Sequence, residues 1–177
     1  DGAEVVAPAD VARLAAGGIT VVAQPMALAP ALAETRIGAT RLGAVQAWAS
    51  LTRAGVPLAF GSDANGPAQL SPWAGLAVAI TRQDAAGQPY GGWQPQERLT
   101  REAALAAYTG GAAAAGGADG LIGRLDVGQR ADFVLVDRDP LLTSVSELRA
   151  MKVLETWVGG RKVWAAAGDG GPEAGGR

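Results

Sequence analysis

Over residues 8–15, Val11, Leu14 and Ala15 fall on one face at helical spacing, Pro8 suits the first turn, and Gly17-Gly18 ends the run. Ile19-Thr20-Val21-Val22-Ala23-Gln24 follows, β-branched and apolar on both sides, closed by Pro25. That pattern predicts a strand buried on both faces, as in a parallel sheet. After a loop rich in Pro and Ala, residues 42–54 resume helical spacing through Leu42, Val45, Ala49 and Thr52, with Gly55 as the stop. Val56-Pro57-Leu58-Ala59-Phe60 predicts a second buried strand, which runs directly into the polar loop Gly61-Ser62-Asp63-Ala64-Asn65-Gly66. Residues 72–82 read as helix, and residues 83–96, punctuated by Gly87, Pro89, Gly91, Gly92 and Pro95, as an irregular excursion. Thr100 then caps a helix with Glu102 in its first turn, running through Leu105 and Tyr108. Strands alternating with helices predict parallel βα units and an α/β fold class.

From Gly120 the pattern changes. Residues 123–128 are turn-rich, residues 131–137 form a strand, and residues 153–158 and 161–164 flank Gly159-Gly160, a two-residue hairpin signal. The expected organisation is therefore an α/β unit over residues 1–115, a small β-rich unit over 116–165, and a disordered Gly-rich tail over 166–177.

Composition narrows the chemistry. The 177 residues include no Cys and no His. This excludes a Ser-His-Asp triad, a Cys-His pair, and any thiolate- or imidazole-ligated metal assembled from this chain alone. With 15 Lys+Arg against 17 Asp+Glu, the net charge of -2 argues against nucleic acid or an anionic membrane surface as partner. No apolar run approaches the ~20 residues of a spanning helix. The acidic start, Asp1-Gly2-Ala3-Glu4, lacks the basic region of a signal peptide. Cytoplasmic localisation is the expectation. No Met opens the chain, which enters patterned sequence almost at once and so reads as a piece of something longer.

Asp63 is the first candidate for chemistry. An acid just past a buried strand, behind Gly61 and Ser62, lies where α/β proteins place their working groups. The competing reading is that Asp63 merely caps the next turn. Gln24, at the end of the first strand, occupies the equivalent position and is a candidate substrate-binding amide. Asp132 and Asp137 flank an apolar strand and read as turn and register markers, and Asp137-Arg138-Asp139-Pro140 as a turn. The five Trp residues are too dispersed for a stacking platform and suit core and interface packing.

Gln24-Pro25-Met26 and Gly55-Val56-Pro57-Leu58-Ala59-Phe60-Gly61-Ser62-Asp63-Ala64 resemble the end of the barrel in metal-dependent amidohydrolases. The likeness is to amidohydrolase family 3, in its YtcJ-like group that includes N-substituted formamide deformylases. It continues through Leu99-Thr100-Arg101-Glu102-Ala103-Ala104-Leu105, Tyr108-Thr109, Gly123-x-Leu125-x-x-Gly128-x-x-Ala131-Asp132-Phe133-Val134 and Val158-Gly159-Gly160-Arg161-x-Val163. The resemblance implies a (β/α)8 barrel whose last two strands are residues 19–24 and 56–60. The β-rich piece would then be the C-terminal part of a small β-sandwich.

The same resemblance implies that Asp63 ligates or contacts a divalent metal such as zinc. It would act as general base on the attacking water, then as acid toward the leaving nitrogen, with a small amide or formamide as substrate. The family's other ligands are His residues on earlier strands, absent here. The expectation is thus a C-terminal fragment of a hydrolase of non-peptide C–N bonds. Alone it would hold no metal tightly, and its partner would be the missing N-terminal part of the barrel. The rival reading is a non-catalytic binding or assembly module derived from such an enzyme.

Overall fold

A computed structural model describes residues 2–63 and 70–167. Ala64, Asn65 and Gly66 of the polar loop and residues 168–177 of the predicted tail lie outside the described residues.

Two short strands form the centre of the first half. β1 (Val21–Ala23) and β2 (Leu58–Phe60) pair in parallel, with Val21 opposite Leu58 and Ala23 opposite Phe60. All three β2 residues are buried, as are Val21 and Ala23, in keeping with the two-sided apolar pattern. Helix α1 (Pro8–Ala16) precedes β1, with Pro8 at its first position.

The segment between the strands departs from its sequence pattern. The Pro- and Ala-rich stretch expected as a loop folds into α2 (Pro30–Ile37), with Pro30 in the first turn and Gly38 closing it at φ 76°. The helix expected over residues 42–54 is shorter. Residues Ala39–Ala44 form a 3-10 turn, Val45 is extended, Gln46 is left-handed at φ 49°, and only α3 (Trp48–Arg53) is α-helical. Tertiary pairing overrides the helical spacing here. Val45 bridges Val5 in an antiparallel contact, the Val6 N–H donates to the Ala44 carbonyl and the Gln46 N–H to that of Glu4, which requires extended backbone.

α4 (Pro72–Thr81) begins with Ser71 accepting from the Ala74 N–H and ends at Arg82 in the left-handed conformation, φ 61°. α5 (Arg101–Ala106), capped by Thr100, runs through a π-helical turn at Ala107–Gly111 into α6 (Ala112–Ala115). That wider turn lies against β2. An added Cβ at Gly111 would fall on the backbone carbonyl of Leu58, so helix and strand touch backbone to backbone.

In the second half, β3 (Phe133–Val136), β4 (Val153–Val158) and β5 (Arg161–Ala165) form an antiparallel sheet in the order 3-4-5. The Gly159-Gly160 hairpin stands as its sequence predicts. Between β3 and β4 lies α7 (Val145–Arg149), which the sequence reading did not include. Ser144 and Glu147 cap it reciprocally. Leu148 and Met151 enter the same core as Leu76, Val78, Leu51, Trp48 and Phe60. Arg101 fastens this region to α5, donating to the carbonyls of Pro140 (2.8 Å) and Thr143 (2.7 Å). Among the described residues no helix is long and apolar enough to cross a membrane.

Candidate functional site

Parallel pairing puts the carboxyl ends of β1 and β2 on one side. The Gly61 N–H donates to the Ala23 carbonyl at 3.0 Å, carrying the ladder one step past Phe60. Gln24 and Asp63, the two residues singled out from the sequence, therefore leave the sheet at the same end. Gln24 is half-buried and precedes a 3-10 turn, Pro25–Ala27. Asp63 is exposed and sits in the left-handed region at φ 42°. Asp tolerates that conformation better than most side chains. Among the described residues Asp63 makes no hydrogen bond or ion pair that would commit its carboxylate to a structural role.

The acids of the second half are occupied. The Asp132 carboxylate accepts from the Gly159 N–H at 2.6 Å and pairs with Arg130, which ties β3 to the hairpin turn. Asp137 accepts from Arg138 (2.7 Å) and from the Lys152 N–H (3.0 Å), and these bonds hold its carboxyl below the usual carboxylate range. Asp139 accepts from the Leu141 N–H at 2.7 Å, closing the turn at Pro140. Each serves as the turn or register marker that its spacing suggests.

Joined to Phe60 of β2 through Trp48 is a buried polar cluster. Arg82 is fully buried, stacked between the rings of Trp48 (4.6 Å) and Trp93 (5.2 Å). Its Nε donates to the Trp93 carbonyl at 3.0 Å and its Nη1 to the Gln46 carbonyl at 2.9 Å. Burial pushes its guanidinium down to about 10, partly offset by the negative charge of Glu97. Glu97 is itself buried, accepting from the Ser50 N–H and hydroxyl. Trp48 meets Phe60 edge-on at 5.3 Å, so the cluster braces the end of β2 three residues before Asp63.

Sequence reading missed Arg82 and Glu97. A buried ion is legible only once residues 83–96, read as irregular, are seen to fold back over α4. Phe60 also meets Tyr108, centroids 5.3 Å apart, its hydroxyl over Gly75; burial pushes that phenol well above its ordinary range.

The donor chemistry bears on a metal. Among the described residues no three of His, Cys, Asp or Glu are grouped to hold an ion. At the strand ends the described residues bring together one carboxylate and one amide. A catalytic zinc centre takes three protein ligands and a water, so the residues present here do not fit such a centre by themselves.

Comparison with known proteins agrees with the family that the sequence motifs resemble. The model of the amidohydrolase family matches residues 1–164. The chain is 35% identical to N-substituted formamide deformylase of Arthrobacter pascens over 111 residues, covering 63% of this chain and 20% of that protein. It is 28% identical to the putative amidohydrolase YtcJ of Bacillus subtilis strain 168 over 130 residues, covering 73% and 24%. The chain thus spans between a fifth and a quarter of the length of these curated relatives. A metal-dependent hydrolase from Pyrococcus horikoshii OT3 superposes with TM-score 0.70 at 26% identity, covering 82% of this chain and 29% of that one. From its sequence motifs, its strand-end carboxylate and these matches, the chain belongs to the amidohydrolase family.

Proposed function

We propose that this chain supplies the last two strands of the barrel of a C–N-bond hydrolase, with Asp63 as its acid–base carboxylate. The observation that carries the reading is the Ala23–Phe60 register, which sends Gln24 and Asp63 out at one sheet end. Residues 1–115 would be the closing strands and helices of a (β/α)8 barrel, and residues 116–165 the C-terminal part of a β-sandwich. The parallel pair and the antiparallel three-stranded sheet support that division. The N-terminal part of the barrel is then the chain's partner and the source of the metal donors that this chain lacks. The assembled protein would work in the cytoplasm.

In this reading the Asp63 carboxylate accepts a proton from the water that attacks the carbonyl carbon of a small amide or formamide. It returns a proton to the nitrogen as the C–N bond breaks. Gln24, at the neighbouring strand end, orients the substrate through its amide. Co-expression with an N-terminal barrel segment from a full-length relative tests the assignment. Asp63→Asn keeps the shape and removes the base, and is expected to lower formamide hydrolysis by roughly 10²- to 10⁴-fold. Asp132→Asn, which only loosens the hairpin, leaves turnover within a few-fold. Undiminished hydrolysis by Asp63→Asn would place the base elsewhere.

A further inference from the structure

We draw no further inference here: the strongest candidate, the exposed apolar surface of the β3–β4–β5 sheet around Val134, Leu135, Val163 and Trp164, carries nothing because no contact among the described residues shows what covers it.

Discussion

Gly111→Ala sets two physical effects of opposite sign against each other. Residue 111 closes the π-helical turn between α5 and α6, inside an otherwise continuous helical run from Arg101 to Ala115. By propensity alone, Ala in place of Gly in a helix interior stabilises by about 1 kcal/mol. Against this, the new Cβ would fall well inside contact distance of the Leu58 carbonyl oxygen, with the Leu58 carbon at 3.3 Å and the Ala106 oxygen at 3.2 Å. All three are backbone atoms, and Leu58 lies in a strand whose every residue is buried. The neighbour cannot swing aside, so the helix must back away from β2 and open the contacts of Phe60 with Tyr108. Overpacking of this kind costs about 1–3 kcal/mol, and immovable partners place it at the upper end. The net expectation is about 2 kcal/mol of destabilisation. Gly110→Ala is the control, since its Cβ meets only the flexible Arg124 side chain, at 3.2 Å. It should be neutral or slightly stabilising. Urea unfolding followed by tryptophan fluorescence reads both, and the loss at Gly111 corresponds to roughly 1 M in the midpoint for an m-value near 2 kcal/mol/M. A Gly111→Ala chain as stable as Gly110→Ala would refute the backbone contact between helix and strand.

Two further outcomes follow from the same packing and charge arguments. A Cβ at Gly75 would coincide with the Tyr108 hydroxyl, so Gly75→Ala is expected to cost about 1–3 kcal/mol. Adding Tyr108→Phe should return part of that loss in thermal unfolding, and a purely additive double variant would count against the contact. Asp137, Glu147 and Glu155 are all held below their ordinary values of 3.8, 4.5 and 4.5, first by hydrogen bonds from Arg138, Ser144 and Lys162 respectively. A carboxyl depressed in the folded state contributes its stability above the unfolded value and loses it as the pH falls through the folded one. Asp137 follows β3 and Glu155 lies in β4, while Glu147 caps α7 between them, so near-UV circular dichroism from the Phe133–Trp157 stack should fade below about pH 4 before the signal of the Trp48 core. Simultaneous loss of both signals would show that the two regions unfold as one unit.

How far the fold was legible depended on whether local pattern and tertiary contact agreed. Residues 19–24 and 56–60 predicted strands apolar on both sides, and β1 and β2 lie inside those limits, β2 packed against α3, the π-helical turn and α6. Gly159-Gly160 marked its hairpin because that turn needs positive φ at both residues, observed at 56° and 74°. Over residues 42–54 the helical spacing of Leu42, Val45 and Ala49 was real but lost to a long-range pairing with Val5 and Val6, which no local window contains. α2 mixes Pro30, Ala31, Leu32, Ala33, Glu34, Thr35, Arg36 and Ile37, with no amphipathic stripe to announce it. α7 did carry a readable signature, Ser144 three residues before Glu147, yet it is only five residues long.

The site divides along the same line. A carboxylate at the end of a buried strand can be found from sequence, because strand, glycine and acid are adjacent in the chain and the sheet does the rest. The position of Asp63 past β2 was legible for that reason, and Asp132, read as a turn marker, accepts from the Gly159 N–H of the hairpin. Arg82 was illegible because its surroundings come from positions 46, 48, 93 and 97, joined only when two left-handed residues, Gln46 and Gln94, turn the chain inward. A helix-terminal arginine ordinarily faces water, and nothing local distinguishes this one. Burying it between Trp48 and Trp93 commits a charge that the hydrophobic core does not need for packing, and among the described residues its Nη2 meets no acceptor. The acid that the sequence reveals is exposed, whereas the arginine that it hides is enclosed, with no acceptor for Nη2 among the described residues.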